Sequence, residues 1–423
     1  MKPIRPFSSL LPRLLLCSAL LAALVPVANA EPYGLEQLLT LARSGNRGLQ
    51  ASRDAVDAAR AGIASAGAFP NPEIEVQRGD ARARTPGATP GNVRSLTLTQ
   101  RLDLPWVRSA RIDAASANLD ATSAAGRGYE HEVLAAVKLG YYDVLRRQAE
   151  LKAAQEDQAL MEAIRSRVNV RVEIGEAPRY ELIKADAELL NAQKVTQSAV
   201  LRLAQAKAAL RRNVGAGLPE SFDVHPSTQL PTDAGSLPAL RQTLLQRSPE
   251  LAQARAQLNQ AEHQLNLQRR LRTPEVALKA GRDEDPDLNT SRVGIAVTIP
   301  LWDRRAGPID EANANRSRAR HNLEQLEFGL SQALENAYQQ HQIASAQVTA
   351  LEQGIVRQAE AALKVAESAY RFGERGILDY LDAQRVYRAA RNELIAARYE
   401  LRAAAVDIER LTGALTPVPQ EEK

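Results

Sequence analysis

The stretch RVGIAVTIPLWDRR, residues 292–305, has the pattern of a membrane strand inside a chain that is otherwise mostly helical in pattern. Val293, Ile295, Val297, Ile299 and Leu301 fall on one face, and mainly small or polar residues alternate with them. A period of two is typical of a strand with two different faces. Such a strand needs partners, because unpaired backbone groups are costly in lipid.

Three further strands are predicted at residues 73–79, 93–103 and 274–282, with the fourth at 291–301. Each is close to the roughly 9–11 residues of a tilted membrane strand. Leu96 and Leu98 face one way, and Thr97 and Thr99 face the other. Four strands cannot close a barrel, so other copies must complete it: two copies give eight strands, and three give twelve with room for a lumen. Soluble hairpins that cap a coiled coil are the alternative.

The chain contains two similar halves. RLDLPWVRSARIDAA (101–115) matches AVTIPLWDRRAGPIDEA (296–312), and VRVEIGEAPRYELIKAD (170–186) matches AYRFGERGILDYLDAQ (369–384). Helical periodicity predicts helices at 36–67, 107–172, 178–213, 237–271, 304–371 and 377–412. We therefore divide the chain into a first structural repeat (31–215, with the hairpin 73–103), a connector (216–236), a second repeat (237–414, with the hairpin 274–301) and a flexible tail (415–423).

The long helix of each half has a length that a globular core could not enclose. A helix of about 66 residues spans roughly 100 Å at about 1.5 Å per residue. The two shorter helices of each half together match that length, which favours end-to-end stacking beside the long helix. The predicted fold class is mostly α with a membrane β-barrel part: a trimer forms a 12-stranded barrel, and the helices continue it as a tunnel.

The first 30 residues have the features of a secretory signal peptide. Lys2, Arg5 and Arg13 precede an apolar run, and Ala28-Asn29-Ala30 is a small-x-small cleavage site. Cys17 raises a lipoprotein alternative, but the leucines before it make a poor lipobox. Without this segment the 54 lysines and arginines fall by three to 51, against 50 acidic residues, and no cysteine remains. The balance gives no support for nucleic-acid binding, and disulfides are excluded.

No motif of an enzyme is present. The five histidines never approach one another at helical spacing, and no HExxH, GxSxG or phosphate loop occurs. The sequence therefore predicts neither a catalytic site, nor a metal site, nor a cofactor.

Four segments resemble the TolC-type outer-membrane efflux channels. They are AGAFPNPEIEV at the first strand, LTQRLDLP after the second, AVTIPLWDRRAGPI at the fourth, and AYRFGERGILDYLDAQ at the second helical turn. The chain is most similar to the cobalt-zinc-cadmium subgroup, although Leu104-Pro105-Trp106 replaces the subgroup's Gly-Lys or Gly-Arg after the second strand.

The resemblance implies a homotrimer in the outer membrane with a periplasmic helical extension. It would dock to a periplasmic adaptor and an inner-membrane pump of the resistance-nodulation-division class, as a passive exit duct for heavy-metal cations. An exit duct for drugs or for a type I secreted protein remains open, as does a periplasmic scaffold without a pore.

The resemblance also implies roles for particular residues. Asp379 and Asp382 would form the constriction ring, with Tyr370 and Arg375 in the gate network. Six carboxylates in a trimer would favour the entry of cations. The alternatives are an acid stabilised by the helix dipole for Asp379, worth roughly 0.3–1 kcal/mol, a tyrosine at a helix seam for Tyr370 and a solvated arginine for Arg375. The remaining assignments are the helical turns and adaptor docking (Gly175, Glu176, Arg179, Gly373, Glu374) and the lipid-facing strand positions (Leu96, Leu98, Val293, Ile295, Val297, Ile299).

Overall fold

A computed structural model describes residues 32–82, 84–87, 89–225 and 235–415. The predicted signal peptide, the middle of the connector and nearly all of the tail lie outside these residues. The elements, in chain order, are α1 (Leu35–Gly45), α2 (Arg47–Gly67), β1 (Glu73–Ala81), β2 (Gly91–Leu102), α3 (Pro105–Glu173), α4 (Arg179–Val214), α5 (Leu237–Arg247), α6 (Pro249–Arg270), β3 (Glu275–Glu284), β4 (Asn289–Thr298), α7 (Ala306–Ala350), a π-helical turn (Leu351–Ile355), α8 (Val356–Arg371) and α9 (Ile377–Thr412).

The four strands form one antiparallel sheet in the order β1-β2-β3-β4. The register places Ile74 opposite Leu98, Leu98 opposite Ala280 and Ala280 opposite Val293. All four predicted strands are present, with ends that differ by at most three residues. The prediction was wrong at the end of the fourth strand, which stops at Thr298 and leaves Ile299 outside it. Pro300 has no N–H for a strand ladder, which is consistent with this early end.

Helix α3 packs against more of the other helices than its immediate neighbours in the chain. It has 69 residues and begins with a proline at its first turn, a position where the missing N–H costs nothing. Helices α2, α4, α6 and α9 all contact it. Its buried alanines recur at alternating spacings of four and three residues, and these small side chains allow neighbouring helices to approach closely; they are Ala110, Ala114, Ala117, Ala121 and Ala124.

Two helices predicted as continuous are broken. The helix predicted at 36–67 divides at Asn46, whose side chain accepts hydrogen bonds from the N–H groups of Gly48 (2.9 Å) and Leu49 (3.2 Å) and so caps α2. The helix predicted at 237–271 divides at Ser248, because Pro249 begins α6 and cannot continue a preceding helix. The break at Asn46 also contacts the end of α4, because the Asn46 side-chain amide donates a hydrogen bond to the Asn213 carbonyl at 2.8 Å.

The helix predicted at 304–371 is also interrupted, by the π-helical turn Leu351–Ile355. A π turn holds more residues than an α turn, so it changes the face that the following helix presents. Leu351 is buried in a cluster with Leu394 and Leu401 of α9. The turn therefore sets the register between the second long helix and α9.

A buried acid fixes the point where the sheet meets the helices. The Asp103 side chain is only 4% exposed and lies 2.6 Å from the Arg111 guanidinium. Arg111 and Arg108 also donate to the carbonyls of Ala66 (2.6 Å) and Gly67 (2.8 Å), at the end of α2. These bonds satisfy carbonyls that a helix end leaves free. They tie α2 to the start of α3 directly below the strands.

His131 links the two halves of the chain near the C-terminal end of α9. It lies in α3, is 2% exposed, and has a hydrogen bond with the backbone of Gly413. Burial lowers the pKa of His131 below its ordinary value, and Arg410 and Lys138 add to this, while the Gly413 bond and Glu130 oppose it. The folded chain therefore favours the neutral form of this imidazole.

We expect the stability of the protein to fall in acid because of His131. The unfolded chain binds this proton more readily, so the free energy of unfolding decreases as pH falls below about 6.5. His131→Gln removes this part of the decline, which a comparison of thermal unfolding at pH 7.5 and pH 5 would measure. His321→Gln, at an exposed position, is the control. An equally steep decline in His131→Gln and in the unsubstituted protein would contradict the assignment.

Candidate functional site

The two helical turns opposite the sheet have the same backbone conformation. Gly175 and Gly373 have φ angles of +80° and +77°, which glycine adopts without strain. In the first turn the N–H of Glu176 donates to the Arg171 carbonyl at 2.8 Å; in the second, the N–H of Glu374 donates to the Ala369 carbonyl at 2.9 Å. This six-to-one bond is the Schellman ending of a helix. Glu176, Arg179 and Glu374 are all exposed around these turns.

One hydrophobic cluster joins the α3–α4 pair to the α8–α9 pair just behind the turns. Met161, Ile164 and Val168 of α3 pack with residues of the other pair, among them Ile377 and Leu381. The two pairs are therefore held together at the tip by apolar burial within a single chain.

Asp379 and Asp382 lie outside this cluster, on the exposed side of the first turns of α9. Their side chains are 54% and 71% exposed. Arg375 donates to Asp379 at 3.4 Å, and Arg385 donates to Asp382 at 3.2 Å. Ion pairs this exposed contribute about 0–1 kcal/mol at most. Both carboxylates can therefore exchange their arginine partners for a cation or for another chain at little cost.

Tyr370 occupies a different environment from Arg375 and the two aspartates. Its side chain is 2% exposed and stacks on Tyr380, with ring centroids 5.9 Å apart. The Arg171 guanidinium lies 5.3 Å from the centroid of the same ring. Within the described residues the Tyr370 hydroxyl has no hydrogen-bond partner. The structure thus brings Arg375 and Asp379 together and places Tyr370 in the core cluster.

A polar contact between α3 and α9, around Asp157, was not predicted from the sequence. Gln384 donates to the Asp157 carboxylate at 3.0 Å, and Arg391 lies 3.4 Å from the same oxygen. Arg391 also donates to the Ala153 carbonyl at 2.6 Å. Burial raises the pKa of Asp157 above its ordinary value, and Arg391 opposes this effect. The one sign of this contact in the sequence is the seven-residue spacing of Gln384 and Arg391, which places both side chains on one face of α9.

A second missed contact joins the predicted ring to the first half of the chain. Arg385, the partner of Asp382, also pairs with Glu188 of α4. One guanidinium therefore connects the start of α9 to the neighbouring helix pair. No sequence motif marks Arg385, and its role follows from packing alone.

The sheet has one apolar face and one polar face. We define the apolar face by exposed apolar residues that share one side of the sheet in the register: Ile74, Val76, Leu96, Leu98, Leu102, Leu278, Val293, Ile295 and Val297. Val293 is 90% exposed and Ile295 is 68% exposed. The opposite face has Glu75 beside Thr97, and Thr99 beside Lys279. A large exposed apolar patch of this kind marks a surface covered by lipid or protein.

Among the described residues, no helix is both long enough and apolar enough to cross a membrane. Within the same residues, no group of three or more His, Cys, Asp or Glu side chains is arranged to hold a metal ion.

Comparison with known proteins assigns the chain to a family. The model of the family described as "Outer membrane efflux protein" matches residues 38–216 and again residues 240–414. The chain belongs to the outer membrane efflux protein family. Members of this family are efflux channels of the outer membrane and not enzymes, so the sheet lies at the outer membrane and the helices extend into the periplasm.

Relatives of this efflux channel include proteins named for metal resistance. The cobalt-zinc-cadmium resistance protein CzcC of Cupriavidus metallidurans is 28% identical over 397 residues, covering 92% of this chain and 93% of that protein. The nickel-cobalt-cadmium resistance protein NccC of Alcaligenes xylosoxydans xylosoxydans is 26% identical, covering 75% and 71%. The fold is shared with the outer membrane channel CmeC of Campylobacter jejuni, with a TM-score of 0.77 at 18% identity, over 92% of this chain and 87% of that one.

Proposed function

We propose that this efflux channel is a homotrimer that provides a passive exit duct for heavy-metal cations. An inner-membrane pump of the resistance-nodulation-division class would supply the cations and the energy, through a periplasmic adaptor. The names of CzcC and NccC support the cargo. The two matches to the family model support the division into two structural repeats.

The two open edges of the sheet support a trimer. Edge strands β1 and β4 each have one neighbour in the described chain, and an open edge in lipid leaves backbone groups unsatisfied at several kcal/mol each. Pairing of β1 with β4 of the next copy removes both edges. Three copies give twelve strands, with the apolar face toward lipid and the polar face toward a lumen. The lipid-facing positions would be Leu96, Leu98, Val293, Ile295 and Val297, with Ile299 just beyond the end of β4.

Two measurements test this proposal. Purified protein should migrate as a trimer that dissociates on heating and should form channels in planar bilayers, and a monomeric, non-conducting product would contradict the pore. A deletion strain should become sensitive to cobalt, zinc or cadmium more than to drugs. Sensitivity to drugs alone, or failure to secrete a protein, would point to the alternative exit ducts.

The helical tip would hold the gate. We place a constriction ring at Asp379 and Asp382, whose exposed carboxylates would converge from three chains. Arg375 would belong to the surrounding gate network, and Tyr370 would support it from the core cluster. The exposed turns would be the docking surface for the adaptor, through Gly175, Glu176, Arg179, Gly373 and Glu374.

Removing the ring carboxylates should weaken block of the channel by divalent cations. We expect Asp379→Ala with Asp382→Ala to reduce the blocking affinity at least about tenfold, since two rings of negative charge would be lost. Block by cobalt in single-channel recordings measures this. The matched control is Glu393→Ala with Glu400→Ala, which removes two exposed acids farther along α9. Unchanged block in the aspartate variant would show that the ring lies elsewhere.

A further inference from the structure

The apolar face of the sheet changes character toward the hairpin turns. Beyond Val76 and Leu96, the next residues on the same face are Arg78 and Arg94, which lie directly opposite each other in the register. Arg282, opposite Leu96, lies on this face as well. All three arginines are exposed. At the end away from the helices, the outward surface of β1 and β2 thus ends in guanidinium groups.

Arg78 and Arg94 form a like-charged pair that the described chain neutralises only in part. Directly opposite residues have Cβ atoms about 4.5–5.5 Å apart, and like charges in such a pair repel. Among the described residues neither arginine has an acid within ion-pair distance: Glu284 of β3 lies directly opposite Arg94 in the register, but it pairs with Arg282 at 3.4 Å. The β1–β2 hairpin also carries Arg82 and Arg84 against a single acid, Asp80, whereas the neighbouring β3–β4 hairpin carries most of the acids at this end of the sheet: Asp283, Glu284, Asp285 and Asp287. A repelling pair of this kind would be stabilised by an external anion.

The position of this pair along the strands matches the boundary of a membrane. On β2 the apolar face runs from Leu102 to Leu96, which is about 20–24 Å at about 3.4 Å per residue. The apolar band of an outer-membrane barrel is about 25 Å tall. Because the helices extend into the periplasm, the arginines come at the headgroups of the opposite, outward-facing leaflet.

We propose that Arg78 and Arg94 form a binding site for the phosphate groups of anionic lipids in that leaflet. Guanidinium groups bind phosphate through paired, charge-assisted hydrogen bonds. A bound phosphate between the two strands would neutralise the repelling pair. The site rests on the proposed function, since it requires the apolar face to be covered by lipid.

The test uses the purified full-length protein and two lipids that differ only in phosphate. Native mass spectrometry would measure retention of diphosphorylated lipid A and of its dephosphorylated form. We expect Arg78→Gln with Arg94→Gln to weaken retention of the phosphorylated lipid about 30-fold, at the contribution usual for two arginines near an anionic surface, and to leave the other lipid unaffected. Arg202→Gln with Arg318→Gln, at exposed positions on α4 and α7, removes the same charge far from the sheet.

Each outcome bears on the site. Equal retention of the phosphorylated lipid by the double variant and the unsubstituted protein, in channels that still conduct, contradicts the site alone. Displacement of this lipid by millimolar inorganic phosphate would show that the arginines bind free phosphate and would overturn the lipid assignment. A protein that neither trimerises nor conducts would contradict the proposed function, and the site with it.

Discussion

Val293→Arg is expected to abolish stable insertion of the channel. Val293 is 90% exposed in the centre of the apolar face, opposite Ala280 of β3. An arginine facing lipid near the bilayer midplane costs about 2–4 kcal/mol, and a trimer would bear that cost three times. The yield of heat-modifiable trimer in the outer-membrane fraction measures the effect, and we expect it to fall at least tenfold.

The neighbouring residue provides the matched control. Gly294 lies on the same strand but on the opposite face, and a Cβ built there meets nothing within 4 Å. Gly294→Arg adds the same charge toward the proposed lumen and should leave the trimer yield close to that of the unsubstituted protein while altering conductance. If both variants insert equally well, the apolar face does not face lipid.

Gly413→Ala is expected to be the most destabilising small substitution in the helical region. Gly413 ends α9 with a φ of +76°, a conformation that costs an L-residue about 1–2 kcal/mol. A Cβ at this position would also collide with the backbone carbonyl oxygen of Arg247, at the end of α5. Overpacking adds about 1–3 kcal/mol. We expect a loss of about 2–5 kcal/mol in the free energy of unfolding, measured by denaturant titration.

Gly373→Ala separates backbone strain from the collision. Its φ of +77° is nearly the same, but a Cβ there meets nothing within 4 Å. This variant should lose only the strain, about 1–2 kcal/mol. Equal losses in the two variants would show that the packing of α9 against α5 contributes nothing.

Local signals predicted the strands and the helical turns well. Alternation of apolar and polar residues is a property of each strand alone, so Leu96 and Leu98 were placed correctly on one face and Thr97 and Thr99 on the other. Gly175 and Gly373 were recognised as helix endings because few other residues adopt positive φ. Both features depend on neighbours within a few residues, which a sequence displays directly.

Features that depend on packing were missed. The break at Asn46 combines a cap on α2 with a hydrogen bond to Asn213, 167 residues away. The π-helical turn beginning at Leu351 packs against α9, and no proline marks it in the sequence. Of the candidate gate residues, only Arg375 and Asp379 are in contact, because they are four residues apart on the start of one helix. Tyr370 could not be assigned to the core without knowledge of Tyr380 and Arg171 beside it.

The contacts of α3 with α9 have a consequence for the order in which a newly exported chain folds. Asp157 is separated by 227 residues from Gln384, and Lys138 by 271 residues from Glu409, to which it donates at 2.7 Å. Such distant contacts form late, because a long loop must close first. The residues before α9, which begins at Ile377, therefore emerge into the periplasm with one side of α3 still uncovered. Biogenesis would be most vulnerable to aggregation and proteolysis in that interval, until the last helix arrives.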